Sequence, residues 1–323
     1  MYIKDSLYGT FELEPVLADL INSDAVQRLK DVHQNGASYL VNPKWKNTRF
    51  DHSVGVMCLI RLLGGSLEEQ IAGLLHDVSH TAFSHVVDDA LKQKEENYHE
   101  LIKDKIVLQS DIPVILKNHQ FDLEPILDES KWGILEQPAP HLCADRIDYT
   151  LRDLYEYGEI TRAEVEQFIE SMTLFDGRIH LKDDYAAEWF VEVYYREVLD
   201  FFLHPLNIYS NHMMAELLKA SLDLNILTED DFMLTDEKLL EKLKDSTNSD
   251  IKRMLDGLTT NVQLEYADVD YDISVKKKMR LIDPDVIVSD TSIPISERSE
   301  KVRAMKETAR KRSMEGTRIK VTT

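Results

Sequence analysis

Five of the 11 histidines in this 323-residue chain fall between His52 and His99. An even spread would place about 1.6 in so short a stretch, so the cluster is a signal rather than a fluctuation. It comprises Arg-Phe-Asp-His at 49–52, His-Asp-Val-Ser-His-Thr-Ala-Phe-Ser-His at 76–85 and Tyr-His-Glu at 98–100. A fourth piece, Ala-Asp-Arg-Ile-Asp-Tyr-Thr-Leu-Arg-Asp at 144–153, lies downstream. The spacing reads as a metal site with its catalytic supports.

Composition bounds the alternatives. The length allows one large core or a domain with an appendage. The longest uncharged apolar runs, such as 53–60, are far too short to cross a bilayer. The first residues carry charge early and lack a signal-like apolar segment. Two cysteines, Cys58 and Cys143, give no disulfide framework, and the expected setting is the reducing cytoplasm. The net charge of −21 is uneven: residues 275–323 carry 13 Lys/Arg against 7 Asp/Glu. So acidic a body disfavours duplex nucleic acid, whose phosphates it repels. The basic tail reads as a solvated helix of mixed charge.

The first 225 residues read mostly as helix, followed by a smaller mixed α/β region at 226–323 with a soft boundary. Asn47 is the expected cap of a helix ending at Gly64-Gly65. Ser66 with Glu69 suggests a capping box for a helix that delivers His76 and Asp77 at its C-terminal end. Pro140 suits the first turn of a helix ending near Gly158. On that helix Asp145, Tyr149, Arg152 and Asp153 share one face at 100° per residue, opposite Cys143, Ile147, Leu151 and Leu154. Residues 172–182 suggest a hairpin around Asp176-Gly177. A long helix from about Tyr185 should kink at Pro205. Arg280 to Ser289 reads as strand, followed by the basic helix.

His52, His76, Asp77 and Asp145 offer two imidazoles and two carboxylates. That donor set suits a divalent ion with open coordination positions better than a closed structural zinc site rich in thiolate. Through an open position an ion can lower the pKa of bound water toward about 7.

The four segments resemble the HD-domain metal-dependent phosphohydrolases, and within them the deoxynucleoside triphosphate triphosphohydrolase branch. The resemblance covers residues 1 to about 220 and also rests on Asp5-Ser-Leu-Tyr-Gly9, Gln27-Arg-Leu29, His33-Gln-Asn-Gly36 and Arg49-Phe-Asp-His-Ser-Val-Gly55. It implies an HD-type helical bundle. It also implies one divalent ion (manganese, iron, magnesium, nickel, cobalt or zinc) on His52, His76, Asp77 and Asp145. His80, His85, Asp88 and His99 become the catalytic group: Asp88 would hold His85 as a general acid, and His99 would stabilise phosphoryl charge. Arg49 and Arg146 match phosphate contacts, Tyr149 and Asp153 sugar contacts, and Gln34 a residue near sugar and base. His204, in Phe202-Leu203-His204-Pro205, matches a nucleotide-holding histidine. The lysine that should follow it is Pro205, so a phosphate-binding cation is missing there.

The resemblance implies a nucleotide phosphohydrolase that releases triphosphate from deoxynucleoside triphosphates, and a homo-oligomer. A 5′-nucleotidase, a phosphodiesterase on cyclic nucleotides or nucleic-acid ends, and a non-catalytic nucleotide sensor are the competing readings.

Overall fold

The computed structural model describes residues 1–93, 95–276 and 278–322. The chain is mostly helical, with three small sheets. Its centre is the helix Arg49–Leu62, in which every residue from His52 to Ile60 is buried. Apolar on all sides, it packs between the helices Leu67–Leu75 and Ala144–Glu156. Thr48, not Asn47, caps it: Thr48 and Asp51 form a reciprocal capping box. Asn47 is free for another role because the next residue is the stronger local cap.

Gly55 sets the approach of two of these helices. A Cβ there would lie 1.9 Å from Arg152 Nη2 and 2.2 Å from Asp148 Oδ1. The missing side chain lets Asp148 and Arg152 lie against the central helix one turn past His52.

The Ala144–Glu156 helix starts four residues after Pro140, which follows a cis Ala139–Pro140 bond in the preceding loop. The proline therefore precedes the helix instead of opening it. Residues 172–182 form the expected hairpin, Met172–Phe175 with Arg178–Leu181. Asp176 and Gly177 both take positive φ, as a tight two-residue turn requires. Pro205 does not kink a continuous helix. Asp184–Tyr195 runs into a π-helical segment, Arg196–Phe201, and a new helix, Pro205–Asp223, begins with proline at its first position. Of the expected strand from Arg280 to Ser289 only Asp285–Val288 is extended and paired. The last strand, Thr317–Val321, was not foreseen.

The region after 225 is joined to what precedes it. The strand Asp285–Val288 lies beside Arg178–Leu181, with Leu181 paired to Val286. One hydrophobic core runs from Leu7 to Ile319. The basic helix Glu300–Glu315 buries Val302 and Ala309 and directs its cations at acids of the body. Lys301 and Arg312 pair with Glu192 and Asp200 at 3.0 and 2.7 Å, and Arg298, just before the helix, pairs with Asp184 at 2.8 Å. The charge asymmetry seen in the sequence is thus partly neutralised within the fold. Among the described residues, no helix is long and apolar enough to cross a membrane.

Replacing Gly55 with alanine should destabilise the fold by about 3 kcal/mol, because the new methyl must displace a buried ion pair. Urea unfolding would read this; a loss below about 1 kcal/mol would mean that the helices can separate freely.

Candidate active site

Three helices deliver the clustered residues. His52 sits one turn into the central helix, His76 caps the end of Leu67–Leu75, and Asp145 is in the first turn of Ala144–Glu156. Ser66 caps the Leu67–Leu75 helix through Glu69 N, but the Glu69 carboxylate turns away to accept from Ile134 N and Leu135 N. That half-box ties the helix to the loop before Asp145.

Hydrogen bonds fix the two imidazoles. His52 Nδ1 lies 2.8 Å from Asp148 Oδ2, and His76 Nδ1 lies 2.7 Å from the Gly73 carbonyl. Both partners are acceptors, so each Nδ1 donates and each Nε2 is turned inward, where it can carry a proton or bind a metal ion. Those two Nε2 atoms are 3.2 Å apart. Asp145 Oδ1 lies 2.9 Å from His52 Nε2 and 3.6 Å from His76 Nε2. Asp77 completes the group at 3.7 and 3.6 Å from the same two atoms. Nitrogens and carboxylate oxygens this close need a proton or a cation between them. Ligands at about 2.0–2.2 Å from an ion stand about 3.0–3.5 Å from one another, and the separations here, from 2.9 to 3.7 Å, lie around that range. The residues present therefore fit a divalent ion.

The electrostatics agree. Burial opposes ionisation of Asp145, but hydrogen bonds from His52 and His76 outweigh it and hold the carboxyl below its usual range. Burial likewise opposes Asp77, whose carboxylate is held well down by Arg49 and His76. Burial disfavours charge on His52, yet Asp145 and Asp148 push it up to about 10. The pocket is built to hold positive charge.

Asp148 was not singled out from the sequence, although it sits three residues past Asp145. It is fully buried and is held by Arg152 through Nε at 2.9 Å and Nη2 at 2.8 Å. Arg152 also reaches Asp5 Oδ2 at 2.8 Å, and Asp5 Oδ1 accepts from Leu7 N and Tyr8 N. The chain His52–Asp148–Arg152–Asp5 anchors the candidate ligand in the N-terminal hairpin. Arg152 is therefore not on the cavity side with Asp145, Tyr149 and Asp153. The helix's polar face is wide enough to split, one edge facing Gly55 and the other the cavity.

That cavity, about 870 Å³, is lined by His76, Asp77 and Asp145 and by His80, His85 and His99. His80 and His99 stack with ring centroids 3.9 Å apart, and both approach His85 edge-on. His80 Nε2 lies 3.2 Å from Asp77 Oδ1. Burial and the nearby Arg49 hold His80 neutral. Burial and His85 push His99 down to about 3, so it is a neutral hydrogen-bonding group at pH 7 and not a cation. His85 Nδ1 lies 3.1 Å from Asp88 Oδ2, while Asp88 Oδ1 accepts from Tyr98 N. The expected His85–Asp88 pair is thus in contact at the cavity edge. The nitrogens of His80, His85 and His99 are close enough to form a second possible ligand set.

The loop carrying His80 and His85 is strained at Phe83 and Ser84, both with positive φ. Its supports come from far along the chain. Buried Asp236 accepts from Phe83 N and His33 N, the Phe232 carbonyl accepts from Ala82 N, and Arg28 donates to the carbonyls of Val78 and His80. No motif marks Asp236; Arg28 lies in the Gln27-Arg-Leu29 segment of the resemblance, but no role was read for it.

Among the residues expected to bind substrate, Gln34, Arg49, Tyr149 and Asp153 line the cavity. Arg49 is largely engaged, donating to Asp77 Oδ2 at 2.7 Å and Ser84 Oγ at 2.9 Å. Asp153 accepts from Asn35 and Asn47, each at 2.7 Å, which is where Asn47 finds its role. Gln34 Oε1 is buried without a partner among the described residues. Arg146 and His204 do not line the cavity. The Arg146 guanidinium folds back onto the carbonyls of His141 and Gln137, because the turn before its helix leaves them unpaired nearby. His204 caps the Pro205–Asp223 helix, accepting from Leu206 N, and packs edge-on against Trp45. Among the cavity residues that the sequence did not single out is Arg280, from the C-terminal region, which lies over the Phe202 ring and pairs with Glu96 at 3.2 Å.

Asp148→Asn should weaken metal retention about 10- to 100-fold, since the amide cannot hold His52 in the same way. Titration with manganese read by paramagnetic relaxation would measure it, and unchanged affinity would make Asp148 a purely structural acid.

Comparison with known proteins agrees with this geometry. The HD domain family model matches residues 49–153. The chain is 48% identical over 322 residues to the uncharacterized protein YdhJ of Bacillus subtilis, covering 99% of each. It is 32% identical to the metal-dependent phosphohydrolase cns2 of Cordyceps militaris over 88% of this chain and 84% of that one. The zebrafish deoxynucleoside triphosphate triphosphohydrolase SAMHD1 is 27% identical over 55% of this chain and 37% of its own length. A phosphohydrolase structure from Bacteroides thetaiotaomicron shares the fold with a TM-score of 0.77 at 19% identity, covering 99% of each chain. With residues 49–153 spanning the whole His52-to-Asp145 ligand set, and two relatives above 30% identity along most of its length, the chain belongs to the HD-domain metal-dependent phosphohydrolases.

Proposed function

We propose that this phosphohydrolase acts on nucleotides, cleaving deoxynucleoside triphosphates to deoxynucleoside and triphosphate. The observation that carries the reading is that three groups open into one cavity: the candidate ligand cluster, the His80/His85/His99 trio and a polar patch of Gln34, Tyr149 and Asp153. A volume of about 870 Å³ is in the range of sites that enclose a nucleotide-sized ligand. The name of the zebrafish relative gives the same direction.

His52, His76, Asp77 and Asp145 would hold a divalent ion, which when bound would supply an electrophile for the phosphoryl group and lower the pKa of water. Arg49, bonded to Asp77, Ser84 and the Gln34 carbonyl, holds Asp77 in place and adds positive charge beside the phosphoryl group. Neutral His99 donates a hydrogen bond to a phosphoryl oxygen. His85, oriented by Asp88, gives the proton to the leaving oxygen. Asp153, held from behind by Asn35 and Asn47, keeps acceptor capacity for a sugar hydroxyl, and the unpaired Gln34 Oε1 offers another acceptor nearby. The homo-oligomer remains part of the proposal. It is supported by exposed Tyr266, Val269 and Tyr271 in and beside the small C-terminal sheet.

Product analysis by ion-pair chromatography, with manganese and each deoxynucleoside triphosphate, tests the reading. Deoxynucleoside with intact triphosphate is the expected outcome. Orthophosphate from monophosphates alone would make the enzyme a nucleotidase instead. His85→Gln should cut turnover at least about 100-fold while keeping the metal. Loss of the metal in that variant would place His85 among the ligands.

A further inference from the structure

The sequence run Lys276-Lys277-Lys278-Met279-Arg280 is the densest cluster of positive charge in an acidic chain, and the activity described so far does not use it. Lys277 lies outside the described residues. The structure places the other three cations of the run, just after the strand Ile273–Val275, on the wall of the cavity that holds the metal-ligand cluster. We propose that Lys276, Lys278 and Arg280 form a wall that binds the distal phosphates of a polyphosphate chain, so that the site selects nucleotides bearing such a chain over monophosphates. This inference rests on the nucleotide reading above and specifies which end of the substrate the C-terminal region holds.

Three observations support it. First, the two arginines next to candidate metal ligands are committed elsewhere. Arg49 is bonded to Asp77 and Ser84, and Arg146 is bonded to the His141 and Gln137 carbonyls. Lys103, also on the cavity wall, is paired with Glu129. A phosphate chain extending from the metal cluster therefore needs cations from another source.

Second, Arg280 is placed to serve. Its guanidinium lies 5.8 Å from the Phe202 ring centroid, and that ring lies 6.2 Å from Tyr149. The charge of Arg280 is felt at Asp145 and at Tyr149, which puts it within electrostatic reach of the reacting end. Its partner Glu96 is bonded through Nη2 at 3.2 Å, which leaves other N–H groups of the guanidinium for a phosphate.

Third, Lys276 and Lys278 are exposed and take part in no ion pair among the described residues. Free lysines on the rim of a cavity that is otherwise rich in carboxylates give a polyanion a local attraction against the −21 charge of the chain.

The test compares the full-length wild type with Lys276→Gln/Lys278→Gln, Arg280→Gln and Arg280→Lys. Steady-state kinetics would be run on nucleoside triphosphates and monophosphates, and calorimetry would measure binding of inorganic tripolyphosphate to the manganese-loaded protein. The double variant and Arg280→Gln should raise the triphosphate KM about tenfold while changing the monophosphate KM less than about twofold. Arg280→Lys should recover part of the loss, and added salt should weaken wild-type binding more than that of the double variant. Equal effects on tri- and monophosphates, or none, would overturn the proposal. If the wild type hydrolyses no nucleotide, the functional reading fails, but the calorimetry still decides the wall. An unchanged tripolyphosphate Kd in the double variant, or no wild-type binding at millimolar concentration, would remove it.

Discussion

The mutual approach of the His52 and His76 Nε2 atoms, 3.2 Å apart with two carboxylates around them, is the constraint on which the rest of the structure depends. Imidazole nitrogens and carboxylates do not gather this closely without a proton or a cation between them. The fold meets that requirement by locking each ring from behind, one on Asp148 and the other on the Gly73 carbonyl. The buried acid behind His52 then needs its own partner, which is Arg152, and Arg152 needs Asp5. The N-terminal hairpin, the central helix and the Ala144–Glu156 helix are thus linked by one electrostatic chain. Gly55 is the steric condition for that chain, since any side chain there would occupy the place of the Asp148–Arg152 pair.

The residues after 225 take part in the site in two ways. Asp236 ties down the strained turn at Phe83 and Ser84, so His80 and His85 are held at the cavity from opposite ends of the sequence. Lys276, Lys278 and Arg280 line the same cavity, Arg280 lying over the Phe202 ring. Together with the candidate metal cluster, the proposed cationic wall would polarise the cavity and orient a substrate with an anionic tail.

The candidate ligands were legible because each belongs to a short local motif, and helix periodicity placed Asp145, Tyr149 and Asp153 together. The same periodicity placed Arg152 with them, since it gives an angle around the helix but not which neighbour fills each sector. Arg146 was read as a phosphate contact from its place beside Asp145, but unpaired carbonyls in the preceding turn attract it more strongly. His204 was read as a nucleotide contact, yet the helix beginning at Pro205 needs a cap and takes it. Asp148, Asp236 and Arg280 act through contacts to distant segments, which no local spacing encodes. Helix starts were off by a few residues where two adjacent residues could both cap, as with Asn47 and Thr48.

The central claim is that a single ion sits between His52, His76, Asp77 and Asp145. Anomalous diffraction from crystals grown with manganese, collected on either side of the metal's absorption edge, tests it most directly. The account predicts one strong peak per chain within ligand distance of both Nε2 atoms. A peak among His80, His85 and His99 with none at the His52–His76 pair would contradict it.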